Sequence, residues 1–361
     1  MLSSLEMHRD NKTWPAPREC GAGFLFANFG KKHTIRWHKY KIPINLTIMK
    51  SLPQKLLERL EIIYSKEWTQ KILDWFSAER ICSFRVNALK SDKTEIEEYL
   101  NSNYIPFELA TFSELTYLID KKYEYALKWS DIFYSGKIYV QWISSQIPPL
   151  VLNPQKWEKI LDVTAAPWSK TTQMAAMIWN DWKIIACEKN QIRFDKLNYN
   201  LRLQWAACVE SIKADALNIW EIFIEGFFDK ILLDAPCSAE WRIDPNNEKT
   251  FGFWTLENIK KKQELQLELL AKSIPLLKKW WTLVYSTCTL APEENEEVVD
   301  KVLKKYFDMV IEEIDINIPN SMPWITSFSE KQYSSELTKT IRINPSNLSE
   351  WFFIAKLKKS I

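Results

Sequence analysis

The spacing of apolar residues changes character along the chain. Between 53 and 79, Leu56, Leu57, Leu60 and Ile63, and then Ile72, Leu73 and Phe76, recur at helical intervals, which predicts two helices. Ser83 to Leu89 (SFRVNAL) alternates apolar and polar as a strand does, and Thr94 to Asn103 returns to an amphipathic helix. These segments predict a small α+β unit over 49–130. After Gly136 the run IYVQWISSQIPPLVLNP predicts a connecting helix that ends near Pro148 and Pro149, because proline has no N–H to continue a helix.

From Lys159 the pattern switches to short apolar runs, KILDV, KIIACE, VESIKA, FDKILLDAP and TLVYSTCT, separated by helical stretches such as TTQMAAMI, RFDKLNYNLRLQ and ENIKKKQELQLELLAKSI. Such alternation predicts an α/β unit over 131–361, a parallel sheet covered by helices on both faces. TIRINP and WFFIAKLKK read as the last strands of the same sheet. Ligands in this architecture bind at the carboxyl ends of the strands.

Composition narrows the classes. The chain has 361 residues, 46% of them hydrophobic, yet no run of about 20 apolar residues is free of charge, so no membrane span is expected. No secretory signal pattern opens it. Its six cysteines (Cys20, Cys82, Cys187, Cys208, Cys237, Cys288) form no CxxC pair, and with only three His no metal site is expected. Reduced thiols in a cytoplasmic protein follow. A net charge of +2 decides nothing about nucleic acid, because a basic face can hide in a balanced total.

Glycine and tryptophan are inverted. There are 6 Gly against 18 Trp, where Gly ordinarily makes up about 7% of a chain. All three His (His8, His33, His38) and Gly21, Gly23 and Gly30 precede Met49, so residues 1–48 read as a non-native or disordered extension, with Met49 as the start. Further on, Trp stands where turns call for Gly, as in Asn180-Asp181-Trp182 and Lys279-Trp280-Trp281. A helix C-terminus often needs positive φ, which Gly takes freely and a bulky residue takes under strain. The expectation is that many of these Trp are Gly in the natural protein, encoded by UGA read as Gly. UGG codons at 168, 182, 280 and 281 would exclude it.

Polar groups with chemistry fall at successive strand ends: Asp162 with the loop TAAPWSKT, then Glu188, then Asp215, then Asp234-Ala235-Pro236-Cys237, then Ser286-Thr287-Cys288-Thr289. An acid ending the second strand suits ribose hydroxyls, which points to Glu188. Any single acid is as easily a solvated loop carboxylate or a helix cap; five consecutive strand ends weaken that reading. TAAPWSKT lacks the Gly that a phosphate-binding loop needs at Thr164 and Ser169, which disfavours a triphosphatase. Cys187 and Cys208 read as inert buried thiols. Cys237 and Cys288, at neighbouring strand ends, suit nucleophilic chemistry: cytosine C5 accepts a methyl group only after a thiolate has added to C6.

With these motifs the sequence resembles the RNA cytosine-5 methyltransferases of the NOL1/NOP2/Sun group. SFRVNALK, YVQWISSQIPPLVL, LDVTAAPWSKTTQ, DAPCSAEW, YSTCTLAPEENE and EWFFIAKL match in order over Met49 to Ile361. The resemblance implies a class I, Rossmann-like S-adenosylmethionine methyltransferase sheet with a small N-terminal α+β domain that helps seat RNA. It implies Cys288 as nucleophile, Cys237 assisting release of the methylated base, Asp234 contacting the cytosine ring, and Lys170 beside cofactor and base. The implied cofactor set is Asp162, Ala165, Ala166, Pro167, Trp168, Ser169, Lys170, Glu188, Arg193, Asp215 and Asp234. The implied partner is structured RNA, ribosomal or transfer, bound by a monomer without metal or membrane.

The departures run one way: Trp168, Trp241, Trp280, Trp281 and Trp351 stand where the family has Gly, while at Trp254 it often has Trp. Were Trp168 genuine, its ring would crowd the cofactor loop and weaken binding. Ala214, where Gly often precedes the third acid, is a tolerable change. Two other readings stay open: a non-catalytic RNA-binding protein on this scaffold, and a DNA cytosine-5 methyltransferase, whose nucleophile would be Cys237.

Overall fold

The computed structural model describes residues 52–76, 80–165, 169–245, 247–318, 320–322 and 325–360. Two helices open it, α1 (Gln54–Ile63) and α2 (Lys66–Phe76), at the expected positions. Their apolar stripes, with Leu56, Leu60, Ile72 and Phe76, pack on Ile243, Trp254, Leu290 and Trp351. The first helices therefore lie against the loops that follow the later strands.

A four-stranded antiparallel sheet follows, built from β1 (Cys82–Val86), β2 (Phe107–Leu109), β3 (Thr116–Ile119) and β4 (Ile138–Val140) in the order β2-β3-β1-β4. Helix α3 (Lys93–Ser102), capped by Asp92, buries Ile96 and Leu100 against it, and two short helices, α4 (Glu124–Lys128) and α5 (Asp131–Tyr134), precede β4. Strand β4 lies beyond the expected boundary at residue 130 and pairs with β1. Gly136, at φ +73°, makes its turn where a Cβ would lie 2.2 Å from the Leu203 carbonyl oxygen, so only glycine fits.

Helix α6 (Ile143–Leu152) corrects the expected stop at Pro148 and Pro149. The helix runs through both prolines, and Asn153, in the left-handed region at φ 48°, ends it. Ile147, Val151 and Leu152 are all buried in the sheet core, and this apolar face outweighs the donors that the prolines lack.

Among the described residues the large sheet has nine strands. Strands β5 (Lys159–Asp162), β6 (Lys183–Cys187), β7 (Val209–Ile212), β8 (Phe228–Asp234) and β9 (Leu277–Thr287) are parallel in the order β9-β8-β5-β6-β7. Helices α7 (Ser169–Met177), α8 (Gln191–Leu203), α9 (Leu256–Ser273) and α10 (Glu296–Lys305) fall between or after them. β10 (Met309–Ile311), β11 (Ser321–Met322), β14 (Ile341–Ile343) and β15 (Phe352–Lys359) complete the sheet, and β12 (Ser327–Phe328) pairs with β13 (Lys331–Gln332) apart from it. β15 runs antiparallel to β9, so TIRINP and WFFIAKLKK do close the same sheet. Chain direction across the sheet reverses at β5, which places the binding crevice at its carboxyl end.

Candidate active site

Each parallel strand delivers one polar group to the same rim. Asp162, at the end of β5, is buried and accepts a hydrogen bond from Thr171 Oγ1 (2.6 Å), which anchors α7 to the strand. Burial pushes its carboxyl up to about 7, against the lowering pull of Thr171. Ala165 donates its N–H to the Cys187 carbonyl (3.0 Å), fixing the course of the loop after β5. Ala166, Pro167 and Trp168 lie outside the described residues.

Lys170, almost fully buried near the start of α7, reaches Asp234 Oδ2 (2.6 Å) and Ser145 Oγ (2.9 Å). Asp234, at the end of β8, also accepts from Ser286 Oγ of β9 (2.9 Å). A buried ammonium with a carboxylate partner and two hydroxyls in the same cluster is a fixed, ready-solvated donor. Ser169 serves the backbone: its carbonyl accepts from Arg85 of β1 (3.4 Å).

Glu188, following β6, accepts from the Asn190 N–H (2.7 Å) and faces Arg193 Nε at 3.4 Å. Asn190 caps α8, so this acid and this helix start are built as one turn. Asp215, after β7, caps the following 3₁₀ turn through Leu217 N–H (3.1 Å) and pairs with Lys189 (3.2 Å).

Cys237 and Cys288 meet with their sulfurs 3.0 Å apart. The hydrogen bond to Cys237, together with burial and the nearby Asp234 and Glu350 carboxyls, holds the Cys288 thiol well above the ordinary thiol range, so it carries its proton in this state. Cys187 and Cys208 are pushed up to about 12 by burial, as suits inert thiols, and Cys187 points at the Ala214 carbonyl (3.2 Å).

A cavity of about 480 Å³ joins these groups. Glu188, Arg193, Asp215, Asp234, Cys237 and Cys288 line it, with Arg242 and Trp241 at its edge. Lys170 reaches it through Asp234, and Asp162 lies beneath as a support for α7. Two carboxylates one strand apart over an apolar floor of Val163, Ala235 and Leu269 fit a nucleoside with a hydroxylated sugar.

Sequence reasoning missed several groups. Ser145 holds Lys170 from α6; it sits within the quoted YVQWISSQIPPLVL, but nothing marked it as polar core. Glu240 and Glu294 bind the two cysteine loops, and both stand inside quoted motifs. Glu350, buried and pushed up to about 8, faces Arg80 at 3.5 Å. The DAPCSAEW, YSTCTLAPEENE and EWFFIAKL motifs contain Glu240, Glu294 and Glu350 in turn, and their position near a cysteine or β15 was the available signal.

Fold and site together are those of a Rossmann-like methyltransferase. The family model described as 16S rRNA methyltransferase RsmB/F matches residues 149–358. The tRNA (cytosine(49)-C(5))-methyltransferase of Pyrococcus abyssi is 36% identical over 86% of this chain and 97% of its own. The ribosomal RNA small subunit methyltransferase F of Shewanella amazonensis is 32% identical over 77% of this chain, which spans 58% of that longer protein. The crystal structure of a methyltransferase homolog protein from Pyrococcus horikoshii superposes with a TM-score of 0.76 at 28% identity, over 88% of this chain and all of that one. The chain belongs to the RsmB/F family of RNA cytosine-5 methyltransferases.

Proposed function

We propose that this enzyme transfers a methyl group from S-adenosylmethionine to C5 of a cytosine in structured RNA, ribosomal or transfer, with Cys288 as nucleophile. The observation that carries the reading is the pair of thiols 3.0 Å apart beside the Lys170–Asp234 ion pair, at the end of a cavity whose other end holds Glu188 and Asp215. Family membership and the two relatives' tRNA and rRNA activities support the substrate class.

S-adenosylmethionine supplies an electrophilic methyl group. Glu188 and Asp215 would hold its sugar and adenine side, with Arg193 swinging from Glu188. The target cytosine enters unpaired or flipped. The Cys288 thiol gives its proton to water in the cavity as its sulfur adds to C6 and the C5=C6 electron pair moves to C5, which takes the methyl group; Asp234 hydrogen-bonds the ring, and Lys170 holds Asp234 in place. After C5 has gained the methyl group, Cys237 helps to remove the C5 proton and the C6–sulfur bond breaks, returning Cys288.

RNA would reach this end along the larger groove of about 1180 Å³ between the small sheet and the β8 loop. Arg80, Lys121, Lys128 and Arg242 line it with Glu124, Asp244 and the rings of Tyr139 and Trp142, and this excess of cations over acids with aromatic rings suits phosphates and unstacked bases. The small sheet would form one wall, and the enzyme would work as a cytoplasmic monomer. Among the described residues no helix is long and apolar enough to cross a membrane.

A trap on RNA containing 5-azacytidine tests the mechanism. A covalent adduct that is lost in Cys288→Ala and kept in Cys237→Ala is expected. Loss in Cys237→Ala alone would move the nucleophile as in DNA enzymes, and no adduct from folded, cofactor-binding protein would leave an RNA-binding scaffold. Bisulfite sequencing of RNA from a host lacking the gene would then identify the cytosine.

The reading of many Trp as Gly belongs here as well. Trp157, Trp179, Trp182, Trp205 and Trp280 all have φ between 55° and 113°. All five are also solvent-exposed, and Trp157 and Trp182 meet each other's rings at 5.6 Å on the surface rather than in the core. Trp254, by contrast, is buried and donates Nε1–H to Glu240 (2.7 Å), as a tryptophan with a reason does. Trp241 and Trp281 adopt ordinary φ, and Trp351 is buried with no partner for Nε1 among the described residues. UGA codons at the five positive-φ positions would support the reading, and UGG codons would end it.

A further inference from the structure

Cys237 and Cys288 stand on separate loops, 51 residues apart, and nothing in either loop alone sets their separation. Each loop carries one buried acid, and each acid binds the other loop next to its cysteine. Glu294, from the Cys288 loop, accepts the N–H of Ser238, the residue after Cys237 (2.9 Å). Glu240, from the Cys237 loop, accepts the Leu290 N–H (2.7 Å) and the Thr289 hydroxyl (2.8 Å), just after Cys288. Ser238 Oγ and Thr289 Oγ1 close the crossing at 2.7 Å.

Both acids are held from outside the crossing too. Glu240 accepts from Trp254 Nε1 (2.7 Å), and Glu294 accepts from Gln266 Nε2 of α9 (2.8 Å), which also reaches the Pro236 carbonyl (3.1 Å). Asn295 binds the Thr289 carbonyl (2.9 Å), and the Tyr285 hydroxyl binds the Glu294 carbonyl (2.6 Å). Glu240 and Glu294 are each at most 1% exposed, and among the described residues neither has an ion-pair partner. Burying a carboxyl without a cation is costly, so its retention calls for a positional role. Burial and the neighbouring Glu240 push Glu294 up to about 7.

We propose that Glu240 and Glu294 are positioning residues that brace the two cysteine loops against each other and so set the distance between the sulfurs of Cys237 and Cys288. Their effect on methyl transfer rests on the function proposed above; their effect on the sulfurs does not. Without the brace the loops swing independently, and Cys237 no longer meets the adduct that Cys288 has formed.

The test is the rate at which diamide closes the Cys237–Cys288 disulfide in the full chain without RNA; two thiols lose two electrons and two protons, and the diazene is reduced to the hydrazine. Glu240→Ala and Glu294→Ala should slow closure at least about tenfold. Glu240→Gln and Glu294→Gln, which keep an acceptor oxygen, should stay within about threefold of the parent. If the Ala variants do not fold, Glu240→Asp and Glu294→Asp decide, since one methylene less prevents the reach and should also slow closure. With ordinary RNA the slow variants should accumulate the protein–RNA adduct. Closure at the parental rate in the Ala or Asp variants overturns the brace and leaves the proposed function standing. Slowed closure without any azacytidine adduct in the parent keeps the brace and removes the function.

Discussion

At the β6 and β7 end of the cavity the acids are tied to their own stretch of chain, Glu188 to Asn190 and Asp215 to Leu217, each two residues on. At the β8 and β9 end the ties run across the fold: Lys170 to Asp234, Ser286 to Asp234, Glu240 to Leu290 and Glu294 to Ser238 join groups 50 to 64 residues apart. The first arrangement leaves carboxylates that can exchange Arg193 or Lys189 for a ligand. The second fixes sulfurs and a carboxylate relative to one another before any substrate arrives. Binding tolerates adjustable partners, whereas bond-making needs atoms held within a fraction of an ångström.

That contrast is broken most severely at its rigid end. Asp234→Asn, which loses the charge facing Lys170, should lower kcat by about 10²–10³ with little change in KM for S-adenosylmethionine. Glu188→Ala should do the reverse, raising that KM roughly tenfold and sparing the azacytidine adduct. Equal effects of both variants on KM and kcat would erase the distinction, and steady-state kinetics with each substrate varied reads it directly.

Asp162 lies between the two ends and gives a smaller effect of defined sign. Its folded carboxyl is raised to about 7, above the usual unfolded value of about 4. The folded state therefore binds the proton more tightly, and the stability this gives is full below about pH 4 and is lost as pH rises to about 7. Asp162→Asn keeps an acceptor for Thr171 and cannot ionise. Its Tm relative to the parent should rise between pH 5 and pH 7 and level off above; a flat difference in calorimetry at several pH values would contradict this.

The smallest effect concerns the far side of the turns. Trp157→Gly, Trp182→Gly and Trp280→Gly each relieve a left-handed residue, at φ 72°, 113° and 73°, and should each raise stability by about 0.5–1 kcal/mol in urea titrations. They should leave kcat unchanged, since none lines the cavity. A loss of stability would mean the rings are used.

The legible part of this protein was local. Apolar alternation located the five parallel strands because buried strands are short apolar runs, and it located α1, α2, α3 and α9 because one helix face repeats every three to four residues. Strand-end position alone picked out Asp162, Glu188, Asp215, Asp234, Cys237 and Cys288. The passage of α6 through Pro148 and Pro149 was not legible, because its stability comes from the sheet it covers. Glu240 and Glu294 stood near the cysteines in sequence, but their roles, like that of Ser145, were not legible, since their partners are distant in sequence.

The sequence by itself determined which strand ends would carry which chemistry, because the direction of a parallel strand dictates where its last residues point. Only the tertiary structure decided that two cysteines 51 residues apart meet at 3.0 Å, and that two buried acids cross between their loops. Distances of that kind are set by the register of neighbouring strands and the packing beneath them, and no single segment of chain contains either.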